Sequence, residues 1–113
     1  MINKRVDFKI GDYVKVQKGV LDPDNSKYSI EDWQGRIIGE SVSIEDEPLV
    51  LIKWDSLTLK NMPEAIIIES IEEDLKFEEM YLSTNELIHV KPRDKGQEED
   101  VVLEELNKKY NHI

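Results

Sequence analysis

Cysteine is absent from this 113-residue chain. Disulfide scaffolds, thiolate zinc sites and cysteine nucleophiles are therefore excluded, and the cytoplasm is the expected location. No apolar run approaches the ~20 residues that a membrane-spanning helix needs. Residues 1–7 carry charges but lack the apolar stretch of a secretory signal. The sequence thus predicts a cytoplasmic protein without a membrane segment.

Glycine and histidine are also scarce, which narrows the chemistry. The five glycines are scattered, so neither a phosphate-binding loop nor a dinucleotide-binding fingerprint is present. The two histidines, His89 and His112, lack the spacing of a zinc hydrolase, and no G-x-S-x-G motif accompanies them. We expect His89 to be an ordinary strand residue. The sequence predicts a protein that is not an enzyme and holds no cofactor or metal.

Negative charge is what the chain has in excess. The formal net charge is −10, and residues 61–113 contribute most of it, with 14 acidic against 6 basic side chains. Such a surface repels nucleic acid and anionic lipid. It suits a basic protein partner, but the interpretation that we favour for this composition is solvated acidic helix faces.

Alternating or nearly continuous apolar residues between turn signals predict four strands. The first follows the turn signal Gly11-Asp12, and the strongest is an apolar run between Pro48 and Asp55. We place the strands at residues 13–18, 33–40, 49–55 and 86–90. The predicted core consists of Val14, Val16, Ile37, Val50, Ile52 and Leu87.

The spacing of apolar residues changes between the third and fourth strands. Pro63 is typical of a first helical position, and apolar positions then recur at intervals of four. These positions are Ile67, Ile71 and Leu75. We predict a helix over about 63–75, although the three consecutive isoleucines within it also fit a strand. A further short turn of helix is expected at 76–82.

Beyond Pro92 the composition becomes polar. Residues 93–100 include six charged side chains and predict a mobile linker. Residues 101–110 predict a short amphipathic helix. We therefore divide the chain into a domain of residues 1–92, with a helical insertion at about 57–82, and a charged linker with a short helical tail at 93–113.

The order of these strands resembles the SH3-like small barrels, in particular the KOW, Tudor-type and ferredoxin:thioredoxin reductase variable-chain barrels. The resemblance covers about residues 8–91. The segments that carry it are Ile10 to Val16, Gln34 to Ile38, Val50 to Asp55 and Asn85 to Val90. It implies a mainly β fold: an SH3-like small barrel with a helical insertion before the last strand and a C-terminal amphipathic helix or tail. Gly35 and Gly39 would permit the sharp bends or close backbone approaches of a rolled sheet.

A polar loop follows the first strand and has carboxylates at alternate positions, as calcium loops do. Lys27 stands where an EF-hand needs glycine, and Trp33 stands where it needs glutamate. The loop is therefore not an EF-hand. One interpretation is a weak cation site, and the other, which we favour, is turn formation by Asp and Asn side chains. The carboxylates concerned are Asp22, Asp24, Glu31 and Asp32.

Aromatic side chains on the loops of a barrel bind cations or proline-rich segments. We expect Trp54 to fill the core, which leaves a candidate contact surface of Tyr13, Tyr28 and Trp33. The tail offers a second candidate contact, with a groove or a second copy, through Leu103, Leu106 and Tyr110. The predicted function is a non-enzymatic protein-interaction or accessory module whose acidic surface suits a basic protein partner.

A KOW-like nucleic-acid-binding or ribosome-associated accessory protein is the alternative. It would place basic side chains of the predicted barrel against phosphate, namely Lys15, Lys18, Arg36 and Lys53. The charge balance argues against this function, and salt-dependent binding to RNA or DNA would distinguish it from protein interaction.

Overall fold

A five-stranded antiparallel sheet and three helices form the fold of residues 7–111, which are the residues that the computed structural model describes. His112 lies outside them. The elements in chain order are β1 (Tyr13–Val16), β2 (Gln34–Val42), β3 (Pro48–Trp54), α1 (Ser56–Lys60), α2 (Glu64–Glu72), β4 (Glu79–Ser83), a 3-10 turn (Thr84–Glu86), β5 (Leu87–His89) and α3 (Glu98–Tyr110). Helices and strands each make up 29% of the chain. Strand content therefore does not dominate as a mainly β fold would require.

The strands lie in the order β4-β3-β2-β1-β5, so the last strand returns to pair with the first. β4 and β5 form the two edges of the sheet and do not pair with each other within residues 7–111. The sheet is therefore not closed into the predicted barrel. Its inner face is covered by the helices and by the loop after β1, which removes the need for closure as a means of burying apolar surface.

All six side chains predicted for the core are buried. Other parts of the chain complete the cluster around them. The loop after β1 contributes Ile30, and the helices contribute Leu59, Ile66, Ile67, Val102 and Tyr110. The predicted alternation thus identifies the buried face of the sheet, and the helices supply the other half of the core.

The predicted helix after the third strand is confirmed as α2, which starts at Glu64, and the strand alternative for its isoleucines is wrong. Pro63 occupies the N-cap position rather than the first helical position. Ile67 is buried and Ile71 is half-buried, but Leu75 lies beyond the helix and is 48% exposed. Two of the three side chains of the predicted apolar repeat therefore contribute to the core.

The predicted helical turn at 76–82 is wrong, because residues 79–82 belong to the edge strand β4 (Glu79–Ser83). Its residues alternate between the two faces of the sheet: Met80 and Leu82 pair with inward-facing residues of β3, whereas Tyr81 pairs with Leu51 on the outer face. Pairing with a strand 30 residues away in the chain thus overrides the local sequence preference.

The predicted tail helix is confirmed as α3, which begins earlier than predicted, at Glu98. It packs against α1, and Val102 and Tyr110 belong to the core cluster. The Tyr110 hydroxyl donates a hydrogen bond to Glu64 of α2 at 2.9 Å. The apolar face of α3 is therefore turned toward the rest of the fold.

Candidate functional site

The six predicted contact residues lie at three separate places. Tyr28 and Trp33 line a cavity of about 60 Å³ between the polar loop and α2. Tyr13 lies on β1, beside the side chains that tie α3 to the sheet. Leu103, Leu106 and Tyr110 pack against the core. No common surface of the described residues contains both the aromatic and the tail candidates.

Glu69 of α2 holds the polar loop in place. Its carboxylate accepts hydrogen bonds from the Asn25 side-chain amide at 3.1 Å and from the Tyr28 hydroxyl at 3.4 Å, and it pairs with the Lys27 ammonium at 3.3 Å. The Tyr28 hydroxyl is thereby engaged in docking the loop on the helix. Sequence reasoning missed Glu69 because an acidic residue on a helix is ordinarily a solvated one.

The two tryptophans meet inside the fold. Trp54 is fully buried, which confirms its predicted place in the core. Trp33 is half-buried and meets it edge to face, with ring centroids 5.2 Å apart and ring planes at 89°. Such aromatic pairs add stability beyond the area that they bury. Trp33 therefore shields the core as well as lining the loop cavity.

The carboxylates of the loop do not converge on one point. Asp22 accepts a hydrogen bond from the Asp24 backbone N–H at 2.8 Å, which is the turn-forming geometry. Glu31 and Asp32 instead form ion pairs with Lys18 on the far side of the loop. Among residues 7–111, no group of three or more potential metal ligands is placed to hold an ion.

Asp22 makes the stability of the protein depend on pH. Burial is the main cause that raises the pKa of its carboxyl above the ordinary value of 3.8. The folded state therefore holds this proton more tightly than the unfolded chain does. Stability contributed by Asp22 is consequently lost as the pH rises from the unfolded pKa through the raised folded pKa.

We expect Asp22→Asn to be more stable than the wild type at pH 7, because asparagine keeps the acceptor for the Asp24 N–H and removes the buried charge. The advantage should shrink below pH 4, where the wild-type carboxyl is also neutral. Urea unfolding at both pH values measures it, with the exposed Asp7→Asn as the control. An advantage of equal size at both pH values would contradict this assignment.

Three of the four basic side chains considered for phosphate binding are paired with carboxylates. Arg36 contacts Glu99 at 3.4 Å, and Lys53 contacts Asp100 at 2.7 Å. Lys18 pairs with the loop carboxylates described above. A phosphate would have to displace these carboxylates, and the pairing therefore weighs against the nucleic-acid alternative.

A polar network anchors the chain just before α3. The Arg93 guanidinium donates two hydrogen bonds to the carboxylate of Asp55, both at 2.8 Å. Asp94 accepts from the backbone N–H of Ser56 at 2.9 Å and from its hydroxyl at 2.5 Å. Both partners belong to the start of α1, 38 residues earlier. The predicted mobile linker therefore begins with two anchored side chains, which the local charge count cannot reveal.

An open groove of about 530 Å³ runs along β4. Its apolar lining comes from β3, from β4 and from the segment between α2 and β4, and consists of Leu49, Leu51, Leu75, Met80, Tyr81 and Leu82. Tyr81, at the centre of β4, is 48% exposed. We call this feature the β4 groove.

Negative charge surrounds the β4 groove. Asp24 and Glu79 lie at one end, together with Lys76, and Glu47 and Glu86 lie at the other end, near Ser83. The charged groups that line the groove are thus four carboxylates and one ammonium group. Sequence reasoning missed this site because it interpreted 76–82 as helix, which would have dispersed these side chains.

Comparisons of the chain with protein-family models, curated proteins and solved structures found no match. Among residues 7–111, no helix combines the length and the apolar character needed to cross a bilayer.

Proposed function

We propose that this chain is a non-catalytic protein-interaction module that binds a basic segment of a partner protein in the β4 groove. One observation carries the proposal: an exposed apolar floor at the edge of the sheet is bordered by four carboxylates and one lysine. We include in it the cytoplasmic location that the sequence predicts.

The apolar floor and the carboxylate rim of the groove would contribute to binding in different ways. The apolar floor, centred on Tyr81 and Leu51, supplies affinity through burial of surface. The carboxylate rim selects a cationic partner and speeds its approach, because exposed charges contribute more to association rate and specificity than to net affinity. The overall charge of −10 acts in the same direction over longer range.

We also propose that the sheet is an opened relative of the SH3-like small barrels. The return of β5 to pair with β1, after four strands that follow one another in order, supports this relationship. Gly35 supports it too, because it allows β2 and β3 to approach closely in the middle of the sheet.

The peptide TRTLTRT, labelled with fluorescein, is a direct test of the proposed function. Its leucine suits the floor, and its arginines, four residues and ~13 Å apart when extended, match the two ends of the rim. We expect fluorescence anisotropy to show saturable binding by the full chain, and much weaker binding of the acidic counterpart TETLTET. Equal binding of the two peptides, or binding of neither, would overturn the proposal.

Charge-neutral variants of the rim locate the binding site. We expect Glu47→Gln combined with Glu79→Gln to weaken binding of TRTLTRT by about fivefold at low salt, from the ~0.2–1 kcal/mol that each exposed charge pair contributes. The matched control is Glu45→Gln combined with Glu105→Gln, which removes the same charge from exposed sites outside the groove. Equal losses in the two double variants would show that net charge, and not the groove, binds the peptide.

A further inference from the structure

We propose that the partner segment binds as a sixth strand of the sheet, paired with the free edge of β4, and that it carries basic, apolar and basic residues at alternate positions. This binding mode rests on the proposed function. It assigns the partner a backbone conformation and a residue pattern that a charged groove alone does not specify.

The backbone of β4 is open at Glu79 and Tyr81 on the side away from β3, whereas the Ser83 N–H is bonded to the Glu86 carboxylate. The N–H of Trp54 donates to the carbonyl oxygen of Glu78 at 2.9 Å, so hydrogen-bonded pairs with β3 fall on every second residue from Glu78 onward. The backbone groups of Glu79 and Tyr81 therefore point away from β3. β4 is an edge strand of the sheet, and no strand within residues 7–111 pairs with its outer edge. These groups are available to an added strand.

Side chains on β4 fix the residue pattern of that strand. Glu79, Tyr81 and Ser83 alternate with the inward-facing residues and share the outer face of the sheet. An apolar residue opposite Tyr81 would pack on its ring and extend the contact with Leu51. Residues two positions away on either side would then lie beside Glu79 at one end and beside Glu86 at the other. Basic side chains at both positions complete the match, and the symmetric pattern holds for either strand direction.

Charge argues against a second copy of this chain as the occupant. Antiparallel pairing of two β4 strands about Tyr81 would set Glu79 of each copy beside Ser83 of the other. Glu86 accepts a hydrogen bond from the Ser83 N–H, and Glu47 lines the same groove, so carboxylates would meet at both ends of the pair. Like charges facing each other across paired strands are destabilising, and charged side chains on an edge strand are a common protection of free edges. A cationic segment converts the same repulsion into attraction.

Backbone N-methylation of the peptide tests strand addition, because it removes one N–H donor and leaves every side chain in place. In a paired strand, N–H groups at alternate positions point toward and away from the neighbouring strand. We therefore compare TRTLTRT with two variants, one methylated at the central leucine nitrogen and one at the adjacent threonine nitrogen. Each is titrated against the full chain by fluorescence anisotropy.

We expect one methylation to weaken binding by about tenfold and the other to change it by less than twofold. Antiparallel addition predicts the loss at leucine, and parallel addition predicts it at threonine; either result supports a sixth strand. Equal effects of the two methylations, with the unmodified peptide still binding, would overturn strand addition and leave the proposed function standing. Absence of binding by the unmodified peptide would overturn both.

Discussion

Replacing Gly35 with alanine is expected to destabilise the fold by about 3 kcal/mol or more, as overpacking against a rigid neighbour does. A Cβ atom at this position would lie 2.4 Å from the carbonyl oxygen of Lys53 and 2.7 Å from Cγ2 of Ile52. Gly35 pairs with Trp54 on one side and with Val14 on the other, so β2 cannot shift without disturbing both neighbours. Urea unfolding of the variant and the wild type measures the loss.

Gly39→Ala is the matched control on the same strand. A Cβ at Gly39 would meet Cβ of Leu51 at 3.4 Å, which is at the tight end of ordinary contact and needs only a small adjustment. We expect its effect to stay within about 1 kcal/mol, since the loss of unfolded-chain entropy offsets part of any crowding. Similar losses in both variants would show that strand glycines matter here through backbone freedom. Neither glycine has a positive φ, so close approach at Gly35 is the physical requirement.

The sequence predicted the buried face of the sheet because strand alternation reports burial locally. Val14 and Val16 alternate with Lys15 and Gln17, whereas Ile37, Val50 and Ile52 lie in segments with adjacent apolar residues, such as the run Leu49-Val50-Leu51-Ile52. Each of these side chains is buried. The sequence also predicted turn formation in the polar loop, because the Asp22 carboxylate accepts a hydrogen bond from the backbone N–H of Asp24, only two residues away. Features whose cause lies within a few residues are those that a single sequence reveals.

The features that the sequence did not predict depend on distant partners. Tyr81 lies in a strand because β3 offers Leu51 as its cross-strand neighbour, and 76–82 by itself favours helix equally well. Barrel closure failed as a prediction for the same reason: the helices cover the inner face, and the pattern of the strands alone cannot show it. Closing the sheet into a barrel and covering its inner face with helices would bury the same apolar residues. The spacing of those residues in the sequence therefore does not distinguish the two architectures.

The β4 groove combines these unpredicted features. Its floor needs β4 to be a strand, one end of its rim needs the polar loop to be docked on α2 by Glu69, and the other end needs the 3-10 turn that presents Glu86. The carboxyl group of Glu86 also accepts from the Ser83 N–H at 3.2 Å, which ties the edge strand to this turn. The predicted preference for a basic partner came from composition, whereas the place where that partner would bind emerges only from the fold.

Replacing Arg93 with alanine is expected to cost about 2–3 kcal/mol, because it leaves the carboxylate of Asp55 inside the protein without its cation. The Asp55 side chain is only 3% exposed, and its remaining hydrogen bond comes from the Thr58 N–H at the start of α1. Water reaches the Arg93 side chain, which is 33% exposed, and this keeps the expected loss below that of a fully buried pair. Urea unfolding measures it, and Lys95→Ala is the control, since that side chain is exposed and makes no ion pair within residues 7–111.

The origin of that loss can be separated by a double-mutant cycle. In the Asp55→Asn background, Arg93→Ala leaves no buried carboxylate without a cation. It should therefore reduce the free energy of unfolding clearly less than it does in the wild type. Amide hydrogen exchange should at the same time accelerate in α3 more than in β2, because Arg93 anchors the chain that leads into α3. An Arg93→Ala variant as stable as Lys95→Ala would show that α3 is held by its apolar face alone. An equal cost in both backgrounds would assign the loss to the stem of the arginine and not to its charge.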